Sequence, residues 1–317
     1  MRYIAIQNIN KPVSVIGLGT MIFSPEKRDL SFSILDAFLA AGGTFIDTAE
    51  IYGDPEQYGY SETTIGLWLQ QRGCREQVIL QSKGCIPDTC QALHGKGLAV
   101  TPEYIHQAIL GSLRRLGTEY LDIWLLHRDD PSVPVGPLVE ALNRELEAGT
   151  IRAYGGSNWT TERIQEANAY AEEHGLVGMA ASSPLFCLAT PNEPFWPTTT
   201  YLDKNSKLWH EQSGLPVIAW SALGRGFIKY GDPADLSRPD LVRTFYNSDN
   251  FSRLRRAREL ADRLNVTPAA IALSYVTSQS FPGIALTGPS SPEHVLDCTA
   301  AGDLLLTSEE LRYLGGQ

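Results

Sequence analysis

Four side chains in the first half of the chain have the types and placement to move a proton: Asp47, Tyr52, Lys83 and His127. Three of them close short apolar runs, Phe45-Ile46 before Asp47, Val78-Ile79-Leu80 just before Lys83, and LDIWLL before His127, and Tyr52 follows Asp47 in the same loop. A free phenol has a pKa near ~10, too high for easy proton exchange near neutrality. An ammonium beside it stabilises the phenolate and pulls that value down, while a carboxylate keeps the ammonium charged and in place. An imidazole can hydrogen-bond a carbonyl oxygen and orient it. Such a set is a general acid/base device for a carbonyl or an alcohol, and well-placed groups of this kind contribute ~10²–10⁴-fold in rate. Taken singly, each has a plainer reading: a loop cap for Asp47, a rim aromatic for Tyr52, a solvated or structural group for Lys83 or His127.

These residues act together only if a fold brings distant strand ends to one place, and the apolar patterning predicts such a fold. Residues 1–14 alternate around Lys11-Pro12 as a small β-hairpin. Strands are then expected at Val15–Thr20, at Thr44–Asp47, at Val78–Lys83, at Leu121–His127, at Ile151–Asn158, at Met179–Ser183, at Pro216–Trp220 and at Ile284–Thr287. Helical periodicity separates most of them, over Leu30–Ala41, Ser61–Gln71, Thr101–Leu116, Gly136–Ala148, Thr161–His174 and Phe251–Leu264, and further helices begin at Pro292 and Thr307. Repeated strand–helix units with no break in composition predict one α/β domain over residues 1–317, a (β/α)8 TIM barrel. A doubly wound sheet would need a switch point and fewer repeats. In a barrel the strand ends converge on one mouth, so Asp47, Tyr52, Lys83, His127, Ser157 and Asn158 become neighbours. Residues 184–213 and 224–249 are read as long aromatic-rich loops on that same face.

Bulk properties exclude several classes of function. A chain of 317 residues, 43% hydrophobic and 20% charged, has material for a full core. Its net charge of −10, with no Lys/Arg cluster, argues against nucleic acid and against an anionic membrane surface. The five cysteines, Cys74, Cys85, Cys90, Cys187 and Cys298, are scattered and lack zinc spacing, which suits reduced thiols in a cytoplasm. Cys85, Cys90 and His94 share the run from Lys83 to Gly97, but at spacings too irregular to predict a metal site. No signal-peptide pattern opens the chain and no apolar run approaches a membrane span. The oligomeric state is not legible.

With the contexts FIDTAEIYG, ILQSKG and LLHRDD, the chain resembles the aldo-keto reductase family over nearly its full length. The resemblance implies that Asp47, Tyr52, Lys83 and His127 are the catalytic four, with Tyr52 protonating the developing alkoxide during hydride transfer from a reduced nicotinamide to an aldehyde, ketone or sugar-like carbonyl. It implies a cofactor, NADP(H) ahead of NAD(H), held at its nicotinamide by Ser157 and Asn158 in GGSNW. In AWSALGRGF, Trp220 would stack on the ring, with Ser221, Leu223, Gly224, Arg225 and Gly226 along the phosphates. TGPSSPEHVLDC would meet the adenosine through Gly288, Ser290, His294, Asp297 and Cys298. The pattern departs from the family at Ser183, where a Gln commonly contacts the carboxamide, and at His294, where an Arg usually holds the 2′-phosphate. Asp297 and Cys298 likewise replace a common Glu and Asn.

Smaller features have two readings each. Gly17-x-Gly19 lacks the third glycine of a dinucleotide fingerprint and reads as a barrel turn, placing Thr20 and Met21 near the cofactor ribose or the substrate. Arg128-Asp129-Asp130 reads as a solvated ion cluster or as a substrate contact. Two other functions stay open: a cofactor-binding sensor on the same fold, and a Schiff-base lyase with Lys83 as nucleophile.

Overall fold

Strand periodicity decides what faces the axis of this molecule. The computed structural model describes residues 1–53, 58–87 and 99–316. Cys90 and His94 lie outside the described residues. A two-stranded antiparallel ribbon, β1 (Tyr3–Ile4) and β2 (Val13–Ser14), is followed by the barrel strands β3 (Ile16–Gly19), β4 (Phe45–Asp47), β5 (Ile79–Gly84), β6 (Leu121–Leu126), β7 (Ile151–Ser157), β8 (Ala181–Ser183), β9 (Val217–Ala219) and β10 (Gly283–Thr287). All neighbours are parallel and follow chain order, and β10 pairs with β3 to close the ring. The expected (β/α)8 barrel with its N-terminal hairpin is therefore the observed fold.

Alternate residues of each strand face inward. Phe45, Ile79, Ile123, Leu125, Ala153, Ala181, Ile218, Ile284 and Leu286 form the barrel's inner core, closed at one end by Ile6, Ile9 and Val13 of the hairpin segment. Their neighbours Ile46, Leu80, Trp124, Leu126 and Tyr154 pack outward under the helices. Continuing the inward period beyond Phe45, Ile79 and Leu125 gives Asp47, then Gln81 and Lys83, then His127. A one-residue slip in β5 would swing Lys83 into the helix layer. Gly17 and Gly155 are interior positions that need glycine: a Cβ at Gly155 would stand 2.1 Å from the Ala181 carbonyl oxygen, and one at Gly17 would stand 2.6 Å from Leu286. Gly17 and Gly19 thus belong to strand β3 rather than to a turn.

Around the barrel lie α1 (Arg28–Ala40), α2 (Tyr60–Arg72), α3 (Pro102–Leu116), α4 (Val135–Ala148), α5 (Thr161–Glu173), α6 (Lys204–Ser213), α7 (Phe227–Tyr230), α8 (Pro239–Phe245), α9 (Ser248–Leu264), α10 (Pro268–Thr277), α11 (Pro292–Ala300) and α12 (Ser308–Gly315). The structure corrects the two long loops. Residues 184–213 contain α6, whose polar sequence buries only His210 and so shows no apolar stripe; Asp203 caps it by accepting the Ser206 N–H at 2.8 Å. Residues 224–249 contain α7 and α8, both too short to display a period. Helix α10 is absent from the sequence reading because it is apolar all round, with Ala270–Thr277 buried without interruption. None of the described helices is long and apolar enough to cross a membrane.

Candidate active site

The carboxyl ends of the strands open into a cleft of about 1280 Å³. At its floor, Lys83 Nζ lies 2.6 Å from Asp47 Oδ1 and donates to the Thr48 carbonyl at 2.9 Å and to the Tyr52 hydroxyl at 3.2 Å. Gln81, two residues before Lys83 and so inward-facing on the same strand, donates from Nε2 to Asp47 Oδ1 at 2.6 Å. The His127 ring meets the Tyr52 ring edge-on, with centroids 5.8 Å apart. The four residues singled out as a proton-transfer set are thus one constellation.

Asp47 and Lys83 are almost wholly buried, at 3% and 2% exposure, so neither could stay charged alone. Burial works against the Lys83 charge, but the Asp47 carboxylate and the Tyr52 phenol outweigh it and raise the lysine above its ordinary value. Lys83 is a fixed cation. At Tyr52 the balance runs the other way from the sequence expectation. Burial pushes the phenol above the usual tyrosine value, and the Lys83 ammonium offsets only part of that rise. The loop bearing Tyr52 is anchored through Ser61, whose backbone N–H donates to the Tyr52 carbonyl at 3.1 Å and whose hydroxyl donates to the Thr20 carbonyl at 2.9 Å. Thr20 in turn donates its hydroxyl to the Asp47 carbonyl at 2.9 Å.

Next along the cleft come the ends of β7 and β9. Ser157 donates to the Ser183 carbonyl at 3.2 Å, and the Asn158 backbone N–H donates to the same oxygen at 3.1 Å. Asn158 sits in the left-handed region, and its amide is held between the His127 carbonyl, the Ser157 hydroxyl and the Thr200 N–H. Trp220 forms the wall beside them, with Trp196 against it at 5.8 Å. The segment after Trp220 is a run of tight turns: Ser221, Gly224, Arg225 and Gly226 all have positive φ, and the Gly224 and Gly226 N–H groups donate to the Ser221 and Leu223 carbonyls at 2.7 and 3.2 Å. At the far end, Ser290 and His294 are joined by a hydrogen bond of 2.9 Å between Oγ and Nδ1. His294, Asp297 and Cys298 share one face of α11.

Nearly every residue singled out from the sequence lines this cleft: Thr20, Met21, Asp47, Tyr52, Lys83, His127, Ser157, Asn158, Trp220, Ser221, Leu223, Arg225, Gly226, Gly288, Ser290, His294, Asp297 and Cys298. Two do not. Ser183 is fully buried, and its hydroxyl donates to the Ile218 carbonyl at 2.7 Å; its part is to present the carbonyl that fixes Ser157 and Asn158. Gly224 is buried beneath that segment, its N–H donating to the Ser221 carbonyl at 2.7 Å. The Arg128-Asp129-Asp130 run is also not one solvated cluster. Arg128 is 3% exposed and lines the cleft beside His127, whereas Asp129 pairs with Arg163 and Asp130 accepts from Ser132. Gln81 was missed, although a polar residue two places before an inward lysine was the available signal. Arg258 and Lys229 also face the cleft, from helices whose periodicity gives no hint of it.

The cleft carries more positive than negative side chains, with Lys27, Lys83, Arg128, Arg225, Lys229 and Arg258 against Glu26, Asp47 and Asp297. On a chain of net charge −10 that local reversal marks a site for a ligand bearing phosphates. A long cleft with the aromatic wall of Trp220 and Trp196 midway and the polar pair Ser290 and His294 at its end has the shape for a dinucleotide. Among the described residues no group of three or more His, Cys, Asp or Glu is arranged to hold a metal.

Residues 15–316 match the Aldo/keto reductase family. An aldo/keto reductase from Klebsiella pneumoniae, solved in complex with NADP and acetate, superposes with a TM-score of 0.72 at 30% identity over 99% of this chain and 94% of that one. A second Klebsiella pneumoniae aldo-keto reductase structure, in complex with NADPH, gives a TM-score of 0.73 at 29% identity over the same shares. Among curated proteins, the aldo-keto reductase str7 of Strobilurus tenacellus is 28% identical over 94% of this chain and 87% of its own length.

Proposed function

Since the chain belongs to the aldo/keto reductase family, matched over residues 15–316, we propose that it catalyses hydride transfer between a nicotinamide cofactor and a carbonyl or alcohol, with Tyr52 as the general acid/base. The observation that carries this reading is the Lys83 ammonium, set 2.6 Å from Asp47 and 3.2 Å from the Tyr52 hydroxyl on the floor of a dinucleotide-sized cleft.

The cofactor, when bound, supplies or accepts the hydride. The protein's residues do the rest. Ser157 and Asn158 hold the carboxamide end of the ring and Trp220 covers its face. Ser221, Leu223, Arg225 and Gly226, with Gly224 beneath them, would lie along the phosphates. Gly288, Ser290, His294, Asp297 and Cys298 take the adenosine. NADP(H) is the favoured cofactor, with NAD(H) as the alternative, because the two Klebsiella pneumoniae relatives were solved in complex with NADP and NADPH.

At the substrate, His127 orients the carbonyl oxygen and Tyr52 donates its proton to the oxygen as negative charge develops there. The raised phenol value keeps that proton in place until it is needed. Lys83 steadies the phenolate left behind, and Asp47, itself fixed by Gln81, steadies Lys83. In the alcohol-oxidising direction the same phenolate takes the proton back. Aldehydes, ketones and sugar-like carbonyls all suit a mouth walled by Trp196 and Trp220. The acidic net charge and scattered cysteines favour a small molecule over nucleic acid as partner, and a cytoplasmic setting.

A panel of aldehydes, ketosugars and polyols, assayed with each cofactor, tests the reading, alongside cofactor titration of tryptophan fluorescence. Turnover of at least one carbonyl class with NADPH, and tighter binding of NADPH than NADH, is expected. Tight NADPH binding without oxidation by any member of the panel would favour the sensor function instead. Equal or tighter NADH binding would overturn the cofactor preference.

A further inference from the structure

Glu50 lies between Asp47 and Tyr52 in sequence, is 4% exposed, and has no role in the chemistry derived above. A carboxylate so buried is costly unless it is held by strong donors. Among the described residues it has no salt bridge; the nearby Arg115 is paired with Glu62 at 2.6 Å. Its partners are the Cys85 backbone N–H, which donates to Oε1 at 2.9 Å, and the Tyr104 hydroxyl, which donates to Oε2 at 3.3 Å.

The Cys85 contact is the telling one. Cys85 has a φ of 64°, the left-handed region that a residue with a Cβ enters only at a cost. That turn comes directly after Lys83 and Gly84. The Gly84 carbonyl accepts the His127 N–H at 2.7 Å, and the Lys83 carbonyl accepts the N–H of Glu50 itself at 3.0 Å. Gly84 also leaves room for the carboxylate, since a Cβ there would stand 2.8 Å from Glu50 Oε1. The segments bearing Tyr52, Lys83 and His127 therefore meet around the Lys83–Cys85 stretch, whose turn this buried carboxylate holds.

We propose that Glu50 is a positioning residue, whose side-chain oxygen pins the strained turn at Cys85 and so holds the Lys83 ammonium and His127 ring in register with the Tyr52 hydroxyl. The groups that face it are Cys85, Tyr104, Glu62, Arg115 and Tyr58. The burial that isolates Glu50 also lifts its carboxyl to about 7, so the contact does not depend on full ionisation: either protonation state leaves an oxygen to accept from Cys85.

This inference rests on the acid/base reading of the site, and the experiment separates the two. Wild-type carbonyl-dependent NADPH oxidation judges that reading by itself. The variants are then compared with wild type. Glu50→Ala removes the acceptor and should lower kcat on the order of 10- to 100-fold, with KM and the NADPH Kd changed less than about threefold. Glu50→Gln keeps an oxygen for the Cys85 N–H and should retain kcat within about threefold of wild type. Tyr104→Phe, which leaves that hydrogen bond intact, should do the same. The proposal is overturned if Glu50→Ala retains wild-type kcat, if Glu50→Gln is as damaging as Glu50→Ala, or if kcat and NADPH affinity fall together, as general loosening of the fold would cause.

Discussion

Burial and the Lys83 ammonium act on Tyr52 in opposite senses, and burial prevails. The ammonium is legible in the sequence but the phenol's desolvation is not, because exposure is a property of the assembled mouth. The sign has a consequence for pH dependence. Carbonyl reduction needs the protonated phenol, so its kcat should stay level through neutral pH and fall only as pH rises past the ordinary tyrosine range near ~10. Alcohol oxidation should rise over the same alkaline range. Rate profiles in both directions check this, and a reduction rate that already falls by about pH 8 would contradict it. Asp47, Tyr52, Lys83 and His127 were legible because each interrupts or follows an apolar run with a reactive group. Gln81 and Arg128 were less legible, since an inward glutamine and a buried arginine look from sequence like ordinary polar residues. Ser183 was placed by family pattern, and its hydroxyl is spent on the Ile218 carbonyl instead.

Among the elements, the strands were the most readable, because an apolar run of β-branched and aromatic residues ending in a polar group has few other readings. Helix α6 and helix α10 are hidden for opposite reasons, one polar and mostly exposed, the other buried on every side. Neither shows the one-sided stripe that periodicity detects; their N-caps, Asp203 and Thr267, enter only with the structure. The interior glycines were visible as letters but not as packing. At Gly155 the nearest atom to an added Cβ is backbone, the Ala181 carbonyl oxygen, so strand β8 would have to move. Gly155→Ala should therefore destabilise the protein by about 3 kcal/mol or more. Urea unfolding measures this, and a loss under about 1 kcal/mol would show that β7 and β8 yield more easily than close packing allows.

Taken whole, the molecule is acidic while its cleft is not. Six cationic side chains line a mouth that three carboxylates share, against a net charge of −10 for the chain. A charge reversal at this cleft points to an anionic ligand and predicts screening. NADPH affinity should weaken several-fold between about 0.05 and 0.5 M salt, over which the Debye length falls below ~5 Å. Fluorescence titration at the two salt concentrations tests this, and a salt-independent Kd would mean that the lining cations do not meet the phosphates. At this scale the barrel's contribution is convergence. Residues 47, 83 and 127 lie on consecutive strands, and only ring closure of β10 on β3 sets Ser157, Trp220 and His294 around the same cleft.

Replacing Tyr52 with phenylalanine removes one oxygen and leaves the ring, the Lys83–Asp47 pair and the cleft wall in place. In that variant, kcat for carbonyl reduction should fall by ~10²–10⁴-fold while NADPH binds as it does to wild type. Undiminished turnover in Tyr52→Phe would contradict the assignment of the proton donor, on which the account of this site depends.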